Sequence, residues 1–288
     1  MSLRAAEFTQ RGWGMSEYNT SDAMEDLLDH LENDGEDGPF AHDPSIESTL
    51  TPIWREVIFP AELTALHCHP VFWGRGVEHG NGEPVLVIPG FIANDLIMLP
   101  MRQWMRRIGY QPHAANIHWN TNCPEKTAAK LIRQVEGIYR KTGQKVILVG
   151  HSLGGMLAKS IVQKAPELVN RVVTVGSPFR DVVEAHPSVT GVWDYLKIGQ
   201  GKLVGRDLGP SCGTGYCMCD FVQNMIAPRS VDVPQFAIYS RNDGIVGWQS
   251  CAEEDESLNI EVNKASHMGL AFNIGSYKAL AKRMAQAV

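Results

Sequence analysis

The sequence predicts an α/β protein with a mostly parallel central sheet and helices on both faces. Three observations indicate this class. From residue 80 onwards, short β-branched apolar runs alternate with segments of helical periodicity. The chain has 288 residues and is 44% hydrophobic, which is enough for one large core. One apolar run also ends directly at a GxSxG pattern, over residues 150–154.

The elements of this sheet follow one another along the chain. Candidate strands are residues 84–89, 114–118, 145–149, 171–175, 235–240 and 259–263. Candidate helices are residues 95–108, 127–141, 153–164 and 277–287. Alternation of this kind is typical of parallel strands joined by crossover helices.

Two regions fall outside the alternation. Residues 20–40 contain eight acidic side chains and no Lys or Arg, so we predict an acidic N-terminal arm over residues 1–45. Its first residues could be an extension foreign to the natural chain, because a second Met follows at position 15. Residues 179–230 contain many glycines and no clear strand. An insertion of that length favours a cap over a functional site, with a purely structural excursion as the alternative.

A nucleophile elbow is predicted around Ser152. Residues 145–149 resemble a strand buried on both faces, and helical periodicity begins directly at Leu153. A serine in such a turn projects its hydroxyl out of the sheet. Gly150 and Gly154 leave room for the turn, since neither carries a side chain. The alternative is a chance match to a short pattern, which the flanking strand and helix disfavour.

A serine nucleophile needs a histidine base and a carboxylate that orients the base. After an elbow serine, the acid precedes the histidine in the chain. His267 lies between the last predicted strand and helix, whereas the other downstream histidine, His186, lies in the insertion. Asp243 follows a buried run directly, and Gly244 permits a tight reversal there. We predict Asp243 and His267 as acid and base, with Asp181 as the competing acid.

The negative charge of a tetrahedral intermediate needs fixed hydrogen-bond donors. The backbone N–H of Leu153 is one candidate donor, because it opens the helix after the serine. The N–H of Phe91, in the loop after the first predicted strand, is the other candidate. Gly90 would let the backbone approach the substrate, although a glycine can also simply end a strand.

The spacing of the cysteines indicates a local disulfide cross-link. Four of the six lie between positions 212 and 251, and Cys212, Cys217 and Cys219 are closely spaced. We predict one or two disulfides here, which could include Cys251, with a zinc site and free thiols as alternatives. Residues 67–69 read His-Cys-His but have no nearby carboxylate, so we predict no metal.

Charge and hydropathy limit the partners. The net charge of −6 argues against binding to nucleic acid or to an anionic membrane surface. No apolar run approaches the roughly 20 residues that span a bilayer. We expect a soluble, cytoplasmic protein, or a secreted one if a natural leader was removed. The sequence does not determine the oligomeric state.

Taken together, the motifs resemble the α/β-hydrolase superfamily, and more closely its bacterial lipase-like serine esterases. They are IPGF at 88–91, GHSLGG at 150–155, VTVGSPF at 173–179, SRNDGIV at 240–246 and SHMGL at 266–270. The resemblance implies the α/β-hydrolase fold, with residues 46–288 as a catalytic domain carrying a cap. In such lipases, a single glycine before a bulky residue in the oxyanion loop often accompanies medium or long acyl substrates.

We therefore predict a serine carboxylic-ester hydrolase that forms an acyl-enzyme on Ser152 and needs no cofactor. Its substrate would be a small ester or acyl lipid, with Trp193 and Phe221 of the insertion lining the acyl pocket. An acyltransferase or thioesterase with the same triad is the first alternative. A binding module without catalysis is the second.

Overall fold

A six-stranded sheet forms the centre of the structure, a computed structural model that describes residues 51–180, 219–226 and 232–286. The strands are β1 Pro84–Ile88, β2 Gln111–Ala114, β3 Val146–His151, β4 Val169–Val175, β5 Gln235–Tyr239 and β6 Asn259–Glu261. They lie in the order β2-β1-β3-β4-β5-β6, and all neighbouring pairs are parallel. This confirms the predicted fold class.

Helices connect the strands and cover the sheet. They are α1 Phe59–Cys68, α2 Leu99–Arg107, α3 Pro124–Thr142, α4 Leu153–Lys164, α5 Asp220–Ile226 and α6 Ile274–Ala285. Short 3-10 helices lie at Ile53–Ile58, Pro70–Trp73, Pro166–Leu168, Trp248–Cys251, Glu256–Leu258 and Gly269–Ala271. Within the described ranges, no helix has both the length and the apolar character that crossing a bilayer requires.

Two apolar layers lie on opposite faces of the sheet, because successive strand side chains alternate between the faces. Val85 and Val87 of β1 pack in one layer, together with Trp104 of α2 and Tyr277 of α6. The intervening side chain Leu86 packs in the other layer, which contains residues of α3, α4 and α5. Burial on both faces explains why β1 and β3 read as continuous apolar runs.

The strand order places a crevice between β1 and β3. From β1 the chain continues to β2 on one side, whereas from β3 it continues to β4 on the other. In open parallel sheets, ligands bind at such a reversal, beyond the carboxyl ends of the strands. The loops that follow β1 and β3 meet at this point.

The second strand departs from its prediction. The sequence predicts residues 114–118, but the strand runs Gln111–Ala114. The N–H groups of Ala115 and Ile117 donate instead to the carboxylate of Asp95, at 3.0 and 2.9 Å. A side-chain acceptor thus replaces the sheet partner. The predicted arm, residues 1–45, and most of the predicted cap lie outside the described residues.

Candidate active site

Ser152 lies at the junction between β3 and α4. Its φ is +52°, a conformation that non-glycine residues adopt rarely and that indicates local strain. The backbone N–H of Ser152 donates to the Val175 carbonyl of the neighbouring strand at 2.9 Å. A strained serine between strand and helix is the geometry of a nucleophile elbow.

Two glycines allow the elbow to form. A Cβ at Gly150 would overlap the carbonyl oxygen of Gly154. A Cβ at Gly154 would overlap the carbonyl oxygen of Ile88, at the end of β1. The helix after the serine can therefore lie directly against two strands only because both positions lack side chains.

Asp243 and His267 form a buried pair beyond β5 and β6. His267 Nδ1 donates to Asp243 Oδ2 at 2.7 Å, and the two residues are 3% and 2% exposed. The other carboxylate oxygen, Oδ1, accepts the N–H groups of Ile245 and Val246 at 2.8 and 2.9 Å. Both oxygens of the carboxylate thus accept hydrogen bonds. The competing acid, Asp181, lies outside the described residues.

The surroundings of His267 favour its protonated form. Burial alone would lower the pKa of His267, but the charge and hydrogen bond of Asp243, with a further contribution from Glu56, raise it above its ordinary value. A base stabilised in its charged form can hold the proton taken from a nucleophile.

His151 is a site residue that the sequence analysis missed. Its Nε2 lies 2.9 Å from the carbonyl oxygen of His267, so this nitrogen carries the proton and donates. The two rings are 4.9 Å apart between centroids. Burial lowers the pKa of His151 to about 4, and the neighbouring His267 adds to this effect. His151 is therefore a neutral residue that links the end of β3 to the loop carrying His267.

The loop after β1 lies directly beside Ser152. A Cβ at Gly90 would lie 3.0 Å from Ser152 Cβ and 3.2 Å from His151 Nδ1. Phe91 follows immediately, so its backbone is adjacent to the nucleophile. Leu153 is the first residue of α4, where the N–H groups have no partner within the helix. Both predicted donors therefore come from the segments that border the serine.

Asn120 holds the loop after β1 and was also missed. Its side-chain amide donates to the Pro89 carbonyl at 2.8 Å, and its backbone exchanges hydrogen bonds with Ile92 and Ala93 at 3.2 and 3.0 Å. The Asn120 residue is 1% exposed. No sequence motif marks it, because its partners lie about thirty residues away.

The described edges of the predicted cap are tied to the sheet domain. The N–H groups of Phe179 and Arg180 donate to the Ser250 carbonyl at 2.8 and 3.0 Å. Phe221 is buried against α3 and α4, and its N–H donates to Glu125, whose carboxylate also binds Lys164.

Phe221 therefore lies near Lys164, the last residue of α4, which is roughly 16 Å along the helix axis from Leu153 beside the serine. This buried position gives no support to the predicted contact of Phe221 with an acyl chain. Trp193 lies outside the described residues.

The predicted disulfide cross-link does not include Cys251. Its thiol is free and buried, and burial raises the pKa of Cys251 well above its ordinary value. The Sγ atom lies 3.6 Å from the Gly247 carbonyl. Cys212 and Cys217 lie outside the described residues.

The His-Cys-His sequence serves the local structure of α1. His67 Nδ1 bonds the Leu63 carbonyl, and its ring lies 4.2 Å from that of Phe72. His69 Nδ1 accepts the Val71 N–H and caps the next 3-10 helix. Among the described residues, no group of three or more His, Cys, Asp or Glu side chains could hold a metal ion.

Comparison with solved structures supports the assignment of the fold. A lipase from Bacillus licheniformis, in its mature form, superposes with a TM-score of 0.52 at 20% identity, covering 73% of this chain and 95% of that one. A monoacylglycerol lipase from Paleococcus ferrophilus superposes with a TM-score of 0.50 at 14% identity, covering 72% and 96%. The chain has the α/β-hydrolase fold.

Sequence comparisons agree with this α/β-hydrolase assignment. Residues 125–197 match the family model of the PGAP1-like alpha/beta domain. Triacylglycerol lipases of Pseudarthrobacter phenanthrenivorans and Burkholderia plantarii are each 25% identical over 177 residues, which is 55% of this chain and 53% and 47% of theirs. A triacylglycerol lipase of Vibrio cholerae is 30% identical over 132 residues, covering 44% and 42%. The chain thus spans about half the length of these lipases.

Proposed function

We propose that this α/β-hydrolase is a serine carboxylic-ester hydrolase with Ser152, Asp243 and His267 as its catalytic triad. The hydrogen-bonded Asp243–His267 pair, on the same sheet edge as the strained Ser152, carries this proposal. The similarity to triacylglycerol lipases supports an ester substrate, although each match covers only part of those enzymes.

In this mechanism, His267 takes the proton of Ser152 Oγ as the oxygen attacks the acyl carbon. Asp243 keeps Nδ1 protonated and stabilises the imidazolium. The N–H groups of Phe91 and Leu153 stabilise the oxyanion. His267 then protonates the leaving alcohol, and it next activates the water that releases the acid from Ser152.

The substrate we propose is an ester with an apolar acyl chain. Three large apolar side chains are exposed on the loop that contains Gly90 and on the loop after β2, namely Ile92, Leu96 and Trp119, at 37%, 73% and 58%. These loops are joined by the hydrogen bonds of Asn120. An apolar rim beside the oxyanion loop would favour a hydrocarbon chain over a polar acyl group.

The test combines labelling and turnover. A fluorophosphonate probe should label the protein at Ser152, and p-nitrophenyl esters of two to sixteen carbons should be hydrolysed. Ser152→Ala should abolish labelling and lower turnover by about 10⁴-fold or more. Ser160→Ala is the matched control, since Ser160 is buried on the same helix and its hydroxyl has no hydrogen-bond partner among the described residues.

Two outcomes would contradict the proposal. Turnover by Ser152→Ala within tenfold of the wild type would remove Ser152 as the nucleophile. A wild-type protein that neither labels nor hydrolyses any ester would leave the binding module as the better account. Product analysis with added alcohol separates hydrolysis from acyl transfer.

A further inference from the structure

A carboxylate from the start of the described chain reaches the loops that carry Asp243 and His267. Glu56 lies in the 3-10 helix Ile53–Ile58, ahead of the sheet. Its Oε1 accepts the N–H of Gly244 at 3.0 Å and that of His267 at 2.8 Å. Its Oε2 accepts the N–H of Met268 at 2.9 Å. One half-buried side chain thus binds three backbone donors on two separate loops.

These contacts act on the residues that need accurate placement. Gly244 follows Asp243 directly, and His267 is itself the proposed base. Hydrogen bonds to an ionised acceptor are about twice as strong as neutral ones. The fit is also close, because a Cβ at Gly244 would lie 3.1 Å from Glu56 Oε1.

Other side chains of the same segment hold the same loops. The Thr51 hydroxyl donates to the Asp243 carbonyl at 2.6 Å. Glu62 of α1 accepts the Ser266 hydroxyl at 2.7 Å and the Asn273 amide at 2.9 Å. Residues 51–62 therefore bind both loops, but only Glu56 contacts both with one carboxylate.

We propose that Glu56 is a positioning residue for the catalytic pair, holding the acid and histidine loops together and stabilising the charged imidazolium of His267. This inference rests on the proposed function. Glu56 would touch neither the substrate nor the reacting atoms, and would act through Asp243 and His267.

The charges around His267 allow a test of the proposed stabilisation of its imidazolium by Glu56. Titratable groups face it from β3 (His151), from the loop after β5 (Asp243) and from the 3-10 helix (Glu56), while Glu62 binds the adjacent Ser266. Burial lowers the pKa of His267, whereas Asp243 and then Glu56 raise it. Removing the charge of Glu56 should therefore lower that pKa.

The central experiment compares E56Q with E261Q. The base must be neutral, so activity is lost as the pH falls through the pKa of His267. In E56Q, the low-pH fall of kcat/KM (the acid limb of its pH profile) should move to lower pH by about one unit. The plateau value of kcat/KM above this limb should fall about tenfold. E261Q removes one exposed charge that pairs with Arg241 near the acid loop, so it should leave both unchanged.

A second readout is independent of turnover. In ¹⁵N-labelled protein with the S152A background, the imidazole signals of His267, assigned with H267N, should titrate at lower pH in E56Q. The milder variant G244A places a methyl group against Glu56 and should give a smaller shift of the same sign, which covers the case in which E56Q does not fold. E56D keeps the negative charge, so its kcat/KM should be lost at nearly the same low pH as in the wild type.

The outcomes separate the two proposals. An unmoved His267 titration in E56Q and G244A would overturn the role of Glu56, even if activity were lost, because a merely structural residue lowers activity without changing that pKa. A wild-type protein with no esterase activity would instead overturn the proposed function, while the titration would still report on the contact.

Discussion

The two sides of the candidate site are held in different ways. On the side of the oxyanion loop, Asp95 of the loop after β1 and Asn120 of the loop after β2 join these two loops, through partners that lie 20 to 31 residues away. On the acid–histidine side, the loops are bound by Glu56, whose partners lie 188 to 212 residues away. The first side depends on neighbouring segments of the chain, and the second on a carboxylate from a distant one.

This difference predicts different sensitivities. A charged anchor affects both the position and the proton affinity of the base. The uncharged side chain of Asn120 affects the position of the oxyanion loop alone. Substitutions on the two sides should therefore differ in their pH profiles as well as in their rates.

The largest effect is expected on the acid–histidine side. Asp243→Asn should lower kcat by about 10⁴-fold, because the amide cannot both orient His267 and stabilise its charge. Circular dichroism should show an intact fold. Asp232→Asn, at an exposed position, is the control. A loss smaller than tenfold would move the catalytic acid elsewhere.

A smaller loss is expected on the oxyanion side. Asn120→Ala removes the hydrogen bond to the Pro89 carbonyl and should lower kcat/KM by about 10- to 100-fold through misplacement of the loop. The acid limb should stay where it is in the wild type, since no charge changes. Asn81→Ala, at an exposed position, is the control. A shifted acid limb in Asn120→Ala would break the contrast between the two sides.

His151 connects the two sides of the site, and it should contribute to the pH dependence of the free energy of unfolding. Because its pKa is lowered to about 4 in the folded state, the free energy of unfolding should decrease as the pH falls from 6.5 to about 4. The loss is at most about 3 kcal/mol. His267, whose pKa is raised, works in the opposite direction.

Comparison with His151→Gln isolates the contribution of His151, since Gln keeps a donor for the His267 carbonyl. Denaturant unfolding at several pH values measures the difference. Parallel pH profiles for the wild type and the variant would contradict a buried neutral His151.

The smallest effect concerns the apolar rim. Trp119→Ala should lower kcat/KM for long-chain p-nitrophenyl esters by about tenfold and leave acetate esters nearly unchanged, because it removes apolar contact only. Tyr139→Ala, on the exposed side of α3, is an aromatic control. Equal losses for all chain lengths would place Trp119 away from the acyl chain.

The sequence by itself was sufficient for the fold class and for the local geometry of Ser152. Buried parallel strands read as apolar runs, and the elbow is one contiguous segment whose glycines and serine are neighbours in the chain. Asp243 and His267 were selected by chain order, and the structure places them in contact. Their catalytic role stays a prediction.

Only the tertiary structure decided which side chains support these residues. Asn120, His151 and Glu56 act through contacts with groups 31, 116 and up to 212 residues away, and no local pattern encodes such contacts. The second strand was misplaced for the same reason, since the carboxylate of Asp95 takes the backbone donors that a strand would use. Local chemistry is written in adjacent residues, whereas support for a site depends on which segments the fold brings together.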